Sequence, residues 1–430
     1  MFSKTIILLV IFLLSILTIQ AQQNNENLEQ LIQEAIKVSP KIKMLNAKLG
    51  IVSSRIAQGT NLPDPVLTLG LMNMPTNTFS FTQEPMTGKM IGLTQSIPFP
   101  GGLSAAANVK AVDTLIVNQE ITDLKNEIRK DVSNLYYDIE LTREKIKFTQ
   151  MGKQLFEQIS EVVKTKYEVS NASFQNLIQT QVQLTRLNDK LEKLYGEENS
   201  NSSMLNTLLQ RDENSEILTN NIDSINHISL NLNSLVTEAS SFRPYLKGIK
   251  LAEQKSKFQE AEAEYSYYPN FQLGVQYSQR DYSKLTGMDF TDFLSVVVGI
   301  TLPLNYGGKN SSKVNEAKYQ QMFYQEQYNS SIQTIQQSLN KIIAKLIELE
   351  KREAIISKTL LPQAEQSLST ALSDYHVNKI DFVNVVNAEN EIINIKMDLA
   401  EIRTNYKKNV SELEFLIGTK LPSNDSGDLK

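Results

Sequence analysis

The chain has 430 residues, a formal net charge of −5, 41% hydrophobic and 21% charged residues, and no Cys or Trp. The lack of cysteine excludes a disulfide scaffold, an iron–sulfur cluster, thiolate zinc sites, a cysteine nucleophile and a lipid anchor on an N-terminal Cys; the only histidines, His227 and His376, are too few for most metallohydrolases. The acidic balance gives no nucleic-acid footprint, and with only 17 Gly and 12 Pro the chain is neither disordered nor a low-complexity fibre.

Lys4 is followed by an apolar run from Thr5 to Ile19 and then by Gln20-Ala21-Gln22, which reads as a secretory signal peptide over residues 1–21. The alternative is an uncleaved anchor, but about 15 helical residues reach only ~23 Å against a ~30 Å hydrocarbon core. The later apolar stretch from Phe293 to Tyr306 is broken by Gly299 and Pro303. The chain is therefore expected to be exported and to meet a membrane peripherally or through β-strands.

Residues 27–62 carry apolar positions at helical spacing (Leu28, Leu31, Ile32, Ala35, then Ile42, Leu45, Leu49, Val52, Ile56), with Ser39-Pro40 restarting the helix. The period then becomes two. Strands are predicted at about 65–74 and 89–98, with Leu67, Leu69 and Leu71 on one face and Thr68 and Gly70 on the other. A half-buried hairpin of a water-soluble domain would share that pattern. The hairpin tip, Pro75 to Gly88, is long and polar. Ile97-Pro-Phe-Pro-Gly-Gly102 ends ladder donation and allows a sharp bend into a helix. From Leu103 to about Tyr167 there is no proline and one glycine, Gly152. A helix of ~65 residues would be ~98 Å long and must lie against neighbours. The next helix supplies a seam, because Leu177, Leu184 and Leu191 recur every seven residues.

The pattern then repeats. With a shift of 204, Leu28, Leu31, Glu34, Ala35 and Pro40 fall on Leu232, Leu235, Glu238, Ala239 and Pro244; at a shift of 208, Tyr167, Val169 and Phe174 fall on Tyr375, Val377 and Phe382. One slowly growing offset marks a duplication. The first repeat is placed at 22–210, an inter-repeat linker at 211–230, the second repeat at 231–418 with strands at about 269–278 and 293–303, and a C-terminal tail at 419–430. Each copy reads helix, strand, strand, long helix, helix, so the fold class is mainly α with a β-barrel portion. Four strands per chain cannot close a barrel, whereas two chains would give eight strands and three would give twelve with room for a lumen. The physical reading is an export tube, a β-barrel in the outer membrane continued by a periplasmic helical coiled-coil barrel.

The duplication, Pro65-Val-Leu-Thr-Leu-Gly70 with Pro269-Asn-Phe-Gln-Leu-Gly274, the Pro/Gly bends, and Leu416-Ile-Gly418 before Leu421-Pro422 resemble the TolC-type outer-membrane efflux proteins. The stretch Leu62-Pro-Asp-Pro-Val-Leu-Thr-Leu-Gly-Leu-Met-Asn-Met-Pro75, with Gln83-Glu-Pro-Met86 and Ile97-Pro-Phe-Pro-Gly-Gly102, is similar to the heavy-metal branch of that family. The resemblance implies a homotrimer with a twelve-stranded barrel in outer-membrane lipid and a periplasmic extension. It also implies an inner-membrane pump of the RND type and a periplasmic adaptor (membrane fusion protein) docking on the helical tips. The function implied is a passive exit duct of a tripartite efflux system, with heavy-metal cations as a cargo. A protein-secretion channel of type I and a periplasmic coiled-coil scaffold or adhesin remain the alternatives. Neither enzyme chemistry, cofactor, metal site nor nucleic-acid partner is expected.

At the tips, the family's docking pattern of Val-Gly and a small or polar residue meets Val169-Ser170-Asn171 and Val377-Asn378-Lys379, so glycine is replaced in both copies. Some relatives ring the pore just beyond with carboxylates. The matching positions are Asn384 and Asn387, with Asn176 in the first copy, which suggests a neutral constriction held by hydrogen bonds with Tyr375 reaching Asn176. Asn384 and Asn387 could equally be solvated positions on a coiled-coil face. Met72, Met74, Met86 and Met90 cluster around the first hairpin; thioethers suit soft ions, but methionine more often fills apolar space.

Overall fold

The computed structural model describes residues 28–421 apart from positions 170, 171, 221, 222, 226, 229, 283, 285 and 378. The signal peptide, most of the C-terminal tail, and Ser170, Asn171 and Asn378 of the tips lie outside the described residues.

The first half runs α1 (Leu28–Val38), α2 (Pro40–Thr60), β1 (Val66–Met72), β2 (Gly88–Ile97), α3 (Gly102–Glu168) and α4 (Phe174–Leu209). The second half runs α5 (Leu232–Phe242), α6 (Pro244–Glu264), β3 (Phe271–Gln279), β4 (Phe293–Ile300), α7 (Lys309–Ile355), α8 (Leu361–His376) and α9 (Phe382–Ile417). The order of helices and strands is thus the same twice, apart from short 3-10 turns at Tyr265–Tyr267 and Tyr306–Gly308 and one break in the long helix. Where α3 is continuous, the second copy has a π-turn, Ile356–Leu360, between α7 and α8. Pro362 explains it: its ring has no N–H to give the carbonyl four residues back, and Leu361 N–H bonds instead to Ile356 O, five residues back.

The chain forms two compact units. A helical unit takes the chain up to Ile42, Asp123–Arg243 and the chain from Ile335; a sheet unit takes Lys43–Thr122 and Pro244–Thr334. Each unit draws on both repeats, so the division runs across the duplication and not between its copies.

In the helical unit, α1 buries Leu31, Ile32 and Ala35, one apolar stripe at helical spacing. Glu29 receives two hydrogen bonds from Arg129, at 2.6 and 3.0 Å, and one from Lys420; the Arg129 guanidinium holds its carboxyl well below the usual carboxylate range. The main core of the far helices joins Phe156, Ile159 and Val163 of α3, Leu187 of α4, Tyr375 of α8, and Phe382, Val385, Val386, Ile393 and Met397 of α9. Of the leucine seam of α4, Leu191 is buried beside Leu187 and Leu194, while Leu177 and Leu184 pack half-buried against the main core. At the end of α9, Gly418 has φ 79°, and a Cβ there would come within 2.6 Å of the Arg243 backbone, so this stop requires glycine.

In the sheet unit, β1 to β4 form one antiparallel sheet in sequence order. Residues opposite one another share a face, so the register sorts the side chains. One face carries the rows Leu67/Leu93/Val275/Val296 and Leu69/Ile91/Tyr277/Leu294; the other carries Thr68/Gly92/Gln276/Ser295 and Gly70/Met90/Ser278/Phe293.

Candidate functional site

The sheet unit presents an unusual surface. The apolar rows are uncovered: Leu69 is 72% exposed and Leu294 71%. Continuous exposed apolar area of this extent needs a partner or a lipid phase. The outer edges of β1 and β4 pair with no other strand among the described residues. In hydrocarbon such an edge leaves backbone groups unsatisfied, and only closure removes it.

Where the strands turn into helices, aromatic side chains gather. Phe99 stacks on Tyr268 with ring centroids 4.6 Å apart, and Tyr265 lies against both. Gly101 has φ 92°, and a Cβ there would meet the Tyr265 hydroxyl at 2.5 Å, so the Pro/Gly bend makes room for this cluster. Aromatic girdles flank the apolar band of membrane strands, because such rings favour the water–lipid boundary. Sequence periodicity did not point to this feature, although the run Tyr265-Ser-Tyr-Tyr268 before β3 is its visible signal.

The two hairpin loops are joined. Arg280 donates to Pro85 O at 3.0 Å and lies 3.8 Å from the Phe293 ring, Lys89 pairs with Asp281 at 3.1 Å, and Lys284 N–H bonds to Thr82 O. Of the methionines, Met72 and Met90 fall diagonally on the small and polar face of the β1–β2 ladder. Among the described residues no group of three or more His, Asp or Glu could hold a metal ion, and no helix is long and apolar enough to cross a membrane.

The helical unit carries the turns. Val169, 61% exposed, closes α3 with its N–H on Thr165 O, and Val377, 62% exposed, follows α8. Lys379 N–H bonds to Asp374 O at 2.9 Å and its ammonium lies 3.6 Å from the Asp374 carboxylate, so a backbone bond and an ion pair close the second turn. The first is closed by Ser173, which caps α4 by accepting from Asn176 N–H at 3.3 Å. The structure brings the two turns together: Lys166 donates to Tyr375 O at 2.7 Å, and its ammonium sits 4.1 Å from the Tyr375 ring centroid.

The expected hydrogen bond from Tyr375 to Asn176 is not formed within the chain. Tyr375 is 6% exposed, its ring packs 5.7 Å from Phe382, and its hydroxyl is buried without a hydrogen bond among the described residues. The Asn176 side-chain oxygen instead accepts from the Ser173 hydroxyl at 3.1 Å. Packing with Phe156 and Phe382 decides where the Tyr375 ring goes, and burial pushes its phenol up. Asn384 and Asn387 are exposed, on the side of α9 away from Val385 and Val386.

Residues 235–419 match the family model described as Outer membrane efflux protein. A stretch of 204 residues is 26% identical to the outer membrane protein TolC of Escherichia coli (strain K12), covering 44% of this chain and 40% of TolC. The match therefore spans about two fifths of the relative's length. Among solved structures, the outer membrane protein VceC of Vibrio cholerae covers 91% of this chain and 96% of its own, with a TM-score of 0.74 and 16% identity. CusC covers 92% and 93%, with a TM-score of 0.75 and 15% identity. The open state of the MtrE outer membrane channel of Neisseria gonorrhoeae covers 91% and 89%, at 0.73 and 13%. These likenesses give the fold.

Proposed function

We propose that the chain is a TolC-type outer-membrane efflux protein and, as such, one subunit of a passive exit duct. The observation that carries this reading is the uncovered apolar face of a sheet with two open edges. A second and a third copy would supply strands to each edge, giving twelve strands around a lumen, with the apolar rows toward lipid and the Thr68 and Gly92 rows toward water. The chain then sits in the bacterial outer membrane and its helices extend into the periplasm. A periplasmic scaffold or adhesin would have no use for such a face.

The exposed Val169 and Val377 at neighbouring turns suit docking of a periplasmic adaptor that joins the duct to an inner-membrane pump. Asn384 and Asn387 present amides where a carboxylate ring would select cations, so the entrance passes cargo without a charge filter. Heavy-metal cations are proposed as cargo on the likeness of residues 62–102 alone, and the transport energy comes from the pump. Reconstitution of the purified chain into a planar bilayer tests the duct: discrete conductance steps with weak cation preference are expected. A protein that stays soluble without detergent and gives no steps overturns it. Susceptibility of a deletion strain to metal salts and to organic toxicants then separates the cargo classes.

A further inference from the structure

Gly152 is the only glycine inside α3 beyond its first residue, and glycine within a helix costs about 1 kcal/mol relative to alanine. Its surroundings show what the small residue allows. A Cβ at 152 would stand 2.3 Å from Ile393 Cδ1 and 3.6 Å from Glu389 Oε1. Ile393 packs into that room, and Gly152 also lines a pocket of about 330 Å³ together with Phe148, Met151, Leu155, Leu368, Ile392 and Ile393 and three charged groups, Glu365, Glu389 and Lys396. All of these residues belong to the helical unit.

The charges do not balance. Lys396 lies 3.5 Å from Glu365. Glu389 is 5% exposed and makes no hydrogen bond or direct ion pair among the described residues. Two carboxylates and one ammonium line the pocket, and Glu389 is the carboxylate without a direct partner. Burying such a group unpaired is unfavourable, and an apolar helix residue would fit the seam without that cost. The volume lies in the range of small-molecule sites, and Phe148 and Met151 supply the aromatic and polarizable surfaces that attract organic cations.

We propose that this pocket binds an amphipathic organic monocation, with its ammonium against Glu389 and its apolar body against Phe148, Leu155 and Leu368. The site is separate from the duct reading, since binding to the purified chain requires neither pump nor adaptor.

The test is calorimetric titration of the full-length protein in a maltoside detergent with benzyltrimethylammonium, using benzenesulfonate as the anionic counterpart. Two variants accompany it. Glu389→Gln keeps the shape and removes the charge; Met151→Lys adds an ammonium at an exposed rim position, where folding is not at stake. Saturable binding of the cation and not of the sulfonate, weakened by about tenfold or more in both variants, is expected. Lack of saturable binding, equal binding of the sulfonate, or affinity within about threefold of wild type in either folded variant overturns the proposal.

Discussion

The same kinds of side chain meet opposite surroundings in the two units. In the helical unit Phe156, Leu205, Leu346 and Val385 are fully buried; in the sheet unit Leu67, Leu93 and Val298 stand in the open. Four helices can surround a seam, so α3, α4, α8 and α9 complete a core within one chain. Four strands give a sheet one residue thick, with nothing among the described residues to cover its apolar rows. The helical unit is therefore held by its own contacts, while the apolar rows of the sheet unit have no cover among the described residues. The contrast also explains why a chain with 41% hydrophobic residues needs no single thick core.

Five substitutions probe that contrast. Phe156→Ala should destabilise the helical unit by about 3–5 kcal/mol, read as a lower midpoint in a thermal or urea melt. A loss below about 1 kcal/mol would mean that the unit depends on something outside the chain. Leu69→Arg, on the apolar face, should cost about 2–4 kcal/mol at mid-membrane depth and deplete the folded protein from the outer-membrane fraction; Thr68→Arg, one residue away on the other face, should not. Equal effects of the two would break the contrast.

A buried acid sharpens it further. Burial pushes the Glu140 carboxyl up to about 7, while Lys407, 3.8 Å away, works against the shift. The folded chain thus keeps a proton that the unfolded chain releases above its ordinary value of 4.5. This contribution favours folding fully below that value and is lost as pH rises through about 7. Stability of the helical unit should fall by at most about 1.4 kcal/mol per pH unit across that window, and Glu140→Gln should flatten the slope. A melt whose midpoint is independent of pH in the wild type would contradict the assignment. The smallest effect belongs to the turn, where Ser173→Ala removes the cap of α4 and should cost about 1 kcal/mol, again read by melting.

The strands were legible because Leu67, Leu69 and Leu71 alternate with small or polar partners, a pattern with one geometric solution. The heptad leucines of α4 were legible for the same reason at a different period. The compact units were not, because packing partners come from the other repeat: Phe156 of the first copy meets Phe382 and Val385 of the second. Periodicity reports which face is apolar and not what covers it. Nor was the fate of Tyr375 legible, since its spacing suits a turn and only the packing with Phe382 shows the ring turned inward. The π-turn was not read either, because its one mark in the sequence is Pro362, a single residue that breaks a pattern.

The most direct measurement is the native mass of the protein released from the outer membrane in detergent. An assembly of three chains, closed through β1 and β4 of adjacent copies, is the expected result. A stable mass of one or two chains would contradict it, because neither supplies the strands needed to enclose a water-filled lumen.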